Sequence, residues 1–327
     1  MTKVQEPVLS DVFAAKKRIQ SLVRRTPLVP SESLSQKLGL PVWLKLECLQ
    51  VTGTFKARGA ANRILTLTPE EKARGIIAHS SGNHGRAVAT LGRELGLTTV
   101  ICLSKRVPQY RVDIIKGLGA EVVREGESFD DVLHVVKRVE AERGLTLVDP
   151  FDDPYVIAGQ GTIGLEIMED LPEAAQVLVP LSGGGLFSGI AMAMKSIKPE
   201  VKAVGVSMGV APAMIACVEA GKPIEIPEVD SLADALLGGI GLDNRLTFDM
   251  TCRLMGQGVR VTEEEIADGM FEAFDRHHLM VEGSGAVGIG AVLGGHISGP
   301  GPVVIVVSGG NVSPELLTGI AAKRYKM

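Results

Sequence analysis

The residue of this chain best suited to covalent chemistry is Lys56, in the segment Thr52-Gly53-Thr54-Phe55-Lys56-Ala57-Arg58-Gly59-Ala60. A lysine among glycine, threonine and phenylalanine at the start of a helical stretch is poorly placed for a solvated charge. A desolvated amine has a lowered pKa, becomes a nucleophile and can form an imine with an aldehyde. A surface lysine near a helix N-terminus is the alternative, so the other segments must decide between the two.

A second polar segment, His79-Ser80-Ser81-Gly82-Asn83-His84-Gly85, follows an apolar strand and precedes the helical run 86–95. Backbone N–H groups at such a strand-to-helix turn point outward and suit a carboxylate or another anion. The hydroxyls of Ser80 and Ser81 add further donors. Taken alone, the segment is better explained as an ordinary helix cap, and His84 as a structural hydrogen-bonding residue.

Three consecutive glycines, Gly183, Gly184 and Gly185, follow the apolar strand 177–181 and precede the helical run 190–195. Because they lack Cβ atoms, a phosphate can approach their backbone amides, and the helix N-terminus supplies positive potential. The segment is neither a Walker loop nor the GxGxxG turn of a dinucleotide-binding fold. A tight turn with close helix packing is the alternative for this cluster taken alone.

The fourth segment, Ser308-Gly309-Gly310-Asn311, follows the strongly apolar strand Val303–Val307. The hydroxyl of Ser308, at the tip of a buried strand, can donate to a heteroaromatic nitrogen without contributing a full charge. A Ser-Gly-Gly turn after a strand is commonplace by itself. The segment therefore indicates a ligand site only in combination with the other three segments.

These segments are positioned by short apolar strands that alternate with helical segments. The strands are almost continuously apolar, as expected of strands that helices cover on both faces. In the helical segments 129–143 and 263–278, the charged residues fall on one face. This pattern predicts an α/β protein with parallel strands, whose carboxyl ends share one edge where ligands usually bind. The predicted strands are 75–79, 98–103, 120–123, 146–148, 177–181, 203–206 and 303–307.

Composition and charge exclude several classes of function. The 327 residues are 45% hydrophobic and carry a net charge of −4, which provides for a large core but leaves no basic footprint for nucleic acid. No apolar stretch approaches the ~20 residues that span a membrane, and the N-terminus lacks the apolar core of a signal peptide. The four scattered cysteines indicate free thiols and predict a cytoplasmic protein.

Jointly, the four segments resemble the serine/threonine dehydratase and serine racemase family of pyridoxal-phosphate enzymes. The resemblance covers almost the whole chain and includes Ala158-Gly159-Gln160-Gly161-Thr162, Ala233-Asp234 and Glu282-Gly283-Ser284-Gly285-Ala286. It implies the α/β fold of fold-type-II pyridoxal-phosphate enzymes, similar to the tryptophan synthase β subunit, with two open, twisted, mostly parallel sheets flanked by helices. It also implies a large cofactor-binding domain (1–74 and 153–327), a small mobile domain (75–152) and a homodimer.

The resemblance implies how the chain holds pyridoxal 5′-phosphate. Lys56 carries the cofactor as a Schiff base, and Phe55 packs beside it. Asn83 hydrogen-bonds the 3′-oxygen of the cofactor, Ser308 meets its pyridine nitrogen, and the glycines at 183–185 cradle its phosphate together with Leu186. A neutral serine leaves the pyridine nitrogen largely unprotonated, and the resulting mild electron sink suits elimination.

The implied reaction removes water and then ammonia from a small β-hydroxy amino acid and yields a 2-oxo acid. Lys56 would act as the general base at the α-carbon, and Ser81 matches the acid or base that racemases of the family place on the opposite face. An amino-acid racemase, a β-replacement synthase and a catalytically silent binding protein remain as alternatives. The expected pocket for the substrate carboxylate consists of Thr52, Gly53, Ser80, Ser81 and His84.

Departures from the family pattern concern cations and substrate. Ser207 stands where cation-binding relatives have an acidic residue, which argues against a divalent cation, so no metal ligands are expected. Ser182 and Ala235 replace glycines that are common in the family. Segments 205–208 and 238–245 resemble dehydratases of hydroxyectoine breakdown and of 3-hydroxyaspartate. A second substrate carboxylate would require a cation, and the candidates are Arg63, Arg86 and Arg111.

Overall fold

The computed structural model describes residues 4–127, 129–227 and 229–324, which form two sheets flanked by helices. The strands are β1 Leu28–Pro30, β2 Val42–Leu46, β3 Ile76–His79, β4 Thr99–Leu103, β5 Glu121–Arg124, β6 Thr146–Leu147, β7 Gln176–Pro180, β8 Lys202–Met208, β9 Gln257–Val261 and β10 Val303–Val307. The helices are α1 Leu9–Ile19, α2 Glu32–Leu38, α3 Lys56–Leu65, α4 Pro69–Arg74, α5 Asn83–Glu94, α6 Gln109–Gly117, α7 Phe129–Arg143, α8 Pro154–Asp170, α9 Gly185–Ile197, α10 Ala213–Ala220, α11 Thr247–Leu254, α12 Glu263–His277, α13 Gly283–Leu293 and α14 Pro314–Arg324.

The larger sheet has six strands in the order β1-β2-β10-β7-β8-β9. Strand β1 is antiparallel to β2, and all the other neighbours are parallel. The central strands β7 and β10 are buried along their whole length, as expected where helices cover both faces. Because these two strands are neighbours and parallel, the glycine turn at 183–185 and the turn at 308–311 leave the same edge of the sheet.

The smaller sheet has four parallel strands in the order β5-β4-β3-β6, all drawn from residues 76–147. Its core also includes Ile19 of α1 and Ile64 of α3. The turn just before α3 joins the larger sheet instead, through an antiparallel bridge between Thr54 and Gly309. Lys56, the first residue of α3, therefore lies at the junction of the two sheets. The domain boundaries at 75 and 152 stay a prediction.

Close packing of three helices behind this junction depends on glycine. A Cβ at Gly189 of α9 would lie 2.3 Å from the carbonyl oxygen of Ile157 on α8. A Cβ at Gly159 of α8 would lie 2.7 Å from the carbonyl oxygen of Arg58 on α3. Since any larger side chain would push the helices apart, these glycines allow α3, α8 and α9 to form a tightly packed layer below Lys56.

The α/β class and the mostly parallel sheets predicted from the sequence are confirmed. All seven predicted strands form, with ends that agree within two residues, and the predicted helix 129–143 matches α7. Strands β1, β2 and β9 were not predicted. In β2 the reason is Lys45, a charged residue that is fully buried and interrupts the apolar pattern.

Two further findings concern the whole chain. The four cysteines, which are all within the described residues, are free thiols, as the sequence predicts. Among the described residues, no helix is long and apolar enough to cross a membrane.

Candidate active site

Lys56 is the first residue of α3, and its side chain is half-buried. Its Nζ donates to the carbonyl oxygen of Pro150 at 2.7 Å and lies 5.3 Å from the centre of the Phe55 ring. Burial lowers the pKa of Lys56 to about 8, and the opposing attraction of Asp149 is weaker. An amine with this pKa is partly neutral near neutral pH and can attack an aldehyde. The amine of Lys56 is thus partly withdrawn from solvent, and its role as the cofactor lysine stays a prediction.

The segment that contains Lys56 is joined to the Ser308 segment by the backbone. The N–H of Phe55 donates to the carbonyl oxygen of Ser308 at 3.0 Å, next to the bridge between Thr54 and Gly309. Gly53 has a φ of +76°, which favours glycine, and its carbonyl accepts the N–H of Gly310 at 2.9 Å. These bonds fix Ser308, which is 3% exposed, beside the lysine turn.

Asn83 connects the smaller sheet to the larger one. Its Nδ2 donates to Oε1 of Glu282 at 2.7 Å, and its Oδ1 accepts from Nδ2 of Asn311 at 2.8 Å. The same Asn311 nitrogen lies 3.1 Å from the carbonyl oxygen of Thr52. Burial raises the pKa of Glu282 to about 7, and the nearby carboxylate of Asp234 adds to this rise. The Asn83 amide is therefore held in one orientation from both sides.

The glycine turn ends at the N-terminus of α9. Gly184 is the N-cap, with a φ of +87° that favours glycine. The N–H groups of Gly185, Leu186 and Phe187 in the first helical turn have no acceptor within the helix. Such a terminus favours an anion, since its free amides and the helix dipole both carry positive potential. The turn therefore fits a phosphate group.

In the predicted carboxylate pocket, His84 is bound to the backbone, whereas Ser80 and Ser81 can still donate to an anion. His84 is 4% exposed, its Nε2 lies 2.7 Å from the carbonyl oxygen of Val148, and burial lowers its pKa to about 3. A neutral, backbone-bonded imidazole carries no charge for a carboxylate. The hydroxyl of Ser80 accepts the N–H of Gly82 at 3.1 Å, and Ser81 is half-buried before the first turn of α5. Ser80, Ser81 and the free amides at this turn are the donors that remain for an anion.

A buried group of four charges lies beneath α3. The guanidinium of Arg58 donates to Glu47 at 2.8 Å and to Glu166 at 2.7 Å. Nζ of Lys45 donates to the other oxygen of Glu166 at 2.6 Å. Each charge is paired and hydrogen-bonded, which is the condition for burying it. Because Arg58 lies two residues after Lys56, this network helps to orient the first turn of α3.

The three candidate arginines differ in their partners. Arg63 pairs with Asp153 at 3.3 Å, and Arg111 pairs with Asp234 at 3.1 Å. The backbone N–H of Arg86, in the first turn of α5, donates to the carbonyl oxygen of Gly82 at 3.1 Å. Its half-buried side chain makes no hydrogen bond or ion pair within the described residues, although its charge favours the ionised form of Glu282. Ser207 is fully buried, and its hydroxyl has no hydrogen-bond partner in the described part of the chain. Across residues 4–127, 129–227 and 229–324, no group of His, Cys, Asp or Glu side chains could hold a metal ion.

Sequence reasoning missed residues that hold these segments together. Asp149 and Pro150, next to the amine of Lys56, lie in a polar turn after β6. Their position at the carboxyl end of a parallel strand was the available signal, since the other polar turns occupy the same position. Glu282 lies in a segment that carried the family resemblance, but no role was predicted for it.

The assembled residues fit pyridoxal phosphate. Lys56 supplies an amine of lowered pKa for an aldehyde, and the glycine turn supplies free amides for a phosphate. Ser308 supplies a neutral hydroxyl for a ring nitrogen, and Asn83 an oriented amide for a ring oxygen. The four segments that were separate in the sequence thus converge on one site.

Comparisons with known proteins also indicate an enzyme that uses pyridoxal phosphate. The model of the family described as pyridoxal-phosphate dependent enzymes matches residues 19–309. A Sinorhizobium fredii protein named only provisionally as a threonine dehydratase is 46% identical over 317 residues, which are 97% of this chain and 96% of that protein. The L-threonine ammonia-lyase of Thermotoga maritima is 40% identical over 315 residues, covering 96% of this chain and 78% of that protein.

Among solved structures, maize serine racemase superposes with a TM-score of 0.91 at 34% identity and covers 98% of both chains. Its fold is therefore shared along nearly the whole chain. The matches to threonine dehydratases, ammonia-lyases and a serine racemase confirm the resemblance seen in the sequence. The chain belongs to the pyridoxal-phosphate dependent enzymes of fold type II, in the family of serine/threonine dehydratases and serine racemases.

Proposed function

We propose that this protein is a dehydratase, an ammonia-lyase that removes water and then ammonia from a small β-hydroxy amino acid and yields a 2-oxo acid. The observation that carries the proposal is the buried amine of Lys56, with a pKa of about 8, at the point where the other three segments converge. The names of the threonine dehydratase and ammonia-lyase relatives support the same reaction class. Serine and threonine are the simplest substrates of this class.

The cofactor would be held at both ends. Lys56 would bond its aldehyde carbon, and the amides at 183–185 and Leu186 would bind its phosphate, an interaction to which the helix dipole contributes up to ~2 kcal/mol. Asn83 would orient the ring through its 3′-oxygen, and Ser308 would meet the pyridine nitrogen. Phe55 would pack beside the ring.

When bound, pyridoxal phosphate withdraws electrons from the α-carbon of an attached amino acid, so that the α-proton becomes acidic and the β-hydroxyl can leave. Once the substrate amine has replaced it, Nζ of Lys56 would accept the α-proton. A pKa of about 8 suits this transfer, because a base works best when its pKa is near the operating pH. Movement of residues 75–152 over the cleft would exclude water from these steps.

Ser80, Ser81, Thr52 and Gly53 would bind the substrate carboxylate, with His84 bracing the turn behind them. The half-buried hydroxyl of Ser81 would also be able to deliver a proton on the face opposite Lys56. An amino-acid racemase is therefore the second candidate function, since racemisation needs a base on each face.

A substrate of the 3-hydroxyaspartate type is a narrower proposal. Its second carboxylate needs a cation, and Arg86 meets that need better than Arg63 or Arg111, which are already paired with carboxylates. Arg86 is on the first turn of α5, three residues after Asn83. Replacement of Arg86 by Lys would then weaken binding of 3-hydroxyaspartate far more than binding of serine, because Lys lacks the planar pair of donors.

The test is an assay of 2-oxo acid and ammonia with L-serine, L-threonine, D-serine and the 3-hydroxyaspartate stereoisomers. We expect turnover with at least one of them, and loss of both turnover and near-visible cofactor absorbance in Lys56→Ala. Lys56→Arg is the matched control, since it keeps the charge but cannot form an imine, and we expect it to be equally inactive. Undiminished oxo acid production in either variant would refute the mechanism.

The same assay separates the alternatives. Formation of the substrate enantiomer without ammonia, abolished by Ser81→Ala, would identify a racemase. Consumption of an added thiol would identify a β-replacement synthase. A colourless preparation that binds no pyridoxal phosphate would identify a silent binding protein. We also propose a homodimer, which the elution volume of the purified protein tests.

A further inference from the structure

The polar turn after β6 touches two parts of the candidate cofactor site. The carbonyl oxygen of Pro150 accepts the amine of Lys56 at 2.7 Å. The ring of Phe151 lies against the glycine turn, because a Cβ at Gly183 would be 2.5 Å from a ring carbon. A Cβ at Gly185 would be 2.7 Å from the carbonyl oxygen of Phe151. This short segment thus forms one wall of the glycine turn and also contacts the reactive lysine.

Asp152 extends from this wall to a different part of the chain. The residue is 6% exposed, and one of its carboxylate oxygens accepts the N–H groups of Leu246 and Thr247, each at 3.0 Å. The other oxygen accepts the N–H of Arg245 at 2.8 Å. These three amides precede or begin α11, where backbone donors lack helical acceptors. The carboxylate of Asp152 therefore accepts three successive backbone N–H groups at the N-terminus of α11.

The start of α11 forms the opposite wall of the glycine turn. A Cβ at Gly184 would lie 3.0 Å from the Cβ of Thr247 and 3.2 Å from the hydroxyl oxygen of Thr251. Thr247 is one of the residues whose amide Asp152 holds. Asp152 therefore links the Phe151 wall to the α11 wall, and the glycine turn lies between them.

We propose that Asp152 is a positioning residue for the cofactor phosphate, which acts by fixing the two walls that hold the glycine turn. Free amides bind an anion well only if they are already aimed at it, and residues behind them keep that aim. The proposal depends on the cofactor site given above and not on the substrate. Its measure is the affinity for pyridoxal phosphate, so a different reaction would not alter its outcome.

The test compares two neighbouring carboxylates. Asp153 also accepts two backbone amides, those of Tyr155 and Val156 at 2.8 and 3.0 Å, but these begin α8 and not α11. Asp152→Asn and Asp153→Asn thus make the same chemical change one residue apart. Pyridoxal phosphate is titrated into each cofactor-free protein, with absorbance giving the dissociation constant and thermal unfolding giving stability.

We expect Asp152→Asn to weaken binding of pyridoxal phosphate at least about tenfold, equivalent to about 1.4 kcal/mol. Asp153→Asn should lose only the ion pair with Arg63, since one amide oxygen still accepts both N–H groups, and should keep an affinity within about twofold of the wild type. An unchanged affinity in Asp152→Asn, or equal losses in both variants, would overturn the proposal. If Asp152→Asn does not fold, amide exchange of the wild type decides: Leu246 and Thr247 should exchange slowly without cofactor, and fast exchange there would overturn the proposal.

Discussion

The folded protein without cofactor should become more stable when its reactive lysine is removed. Burial lowers the pKa of Lys56 from an ordinary value of 10.5 to about 8. This difference corresponds to about 3 kcal/mol by which the folded state disfavours the charged amine. In Lys56→Met that cost disappears, but the carbonyl of Pro150 loses its donor, a loss of about 1 kcal/mol. At pH 7, the Met variant should therefore be about 2 kcal/mol more stable than the wild type.

The dependence on pH follows from the same values. Below about pH 8 the amine is protonated in both the folded and unfolded wild type, so the whole cost is present. Between about pH 8 and 10.5 the unfolded chain holds a proton that the folded chain has released. The stability of the wild type therefore rises with pH in this range, and the advantage of the Met variant shrinks.

Urea denaturation of both cofactor-free proteins between pH 6 and pH 10, followed by circular dichroism, measures this difference. Lys45→Met is the matched control: burial lowers the pKa of Lys45 as well, but its Nζ donates to Glu166 at 2.6 Å and so compensates a second buried charge, which Lys56 does not do. Its removal should destabilise the fold by about 3 kcal/mol, since Glu166 loses a partner. A Lys56→Met variant that is less stable than the wild type at pH 7, or a difference that widens with pH, would refute the reasoning.

Three further predictions concern stability. The wild-type protein should lose up to about 3 kcal/mol of stability between pH 4.5 and about 7, because the carboxyl of Glu282 keeps its proton in the folded state after the unfolded chain has released it. Glu282→Gln should abolish this loss, and an equal fall in the free energy of unfolding of both proteins over this pH range would contradict the prediction. Gly189→Ala should cost about 3 kcal/mol or more, because the new methyl would meet the carbonyl of Ile157, and an unchanged melting temperature would disprove the packing argument. Thr262→Ala should cost about 1 kcal/mol in urea unfolding, through the lost cap on the N–H of Glu265, whereas no loss would show that the cap is dispensable.

Much of the fold and site follows from local sequence patterns. Strands such as Val303–Val307 are continuously apolar because helices cover both faces. The composition of each strand therefore predicts its burial without reference to the rest of the chain. The reactive lysine, the glycine turn and the two polar turns each have a local signature of residue type and spacing. The shared location of the glycine turn and the Ser308 turn also follows, since parallel strands place their carboxyl ends on one edge, whereas the approach of the smaller sheet to that edge does not.

Contacts between distant residues were decided only by the tertiary structure. The partner of the Lys56 amine is 94 residues away, and that of the Asn83 amide is 199 residues away, so no local pattern specifies either one. Strand β2 was missed for the same reason, because the buried amine of Lys45 needs Glu166, 121 residues further along, in addition to the carbonyl oxygen of Thr26. A sequence pattern reports the surroundings that a residue needs, whereas the chain must fold before distant residues can provide them.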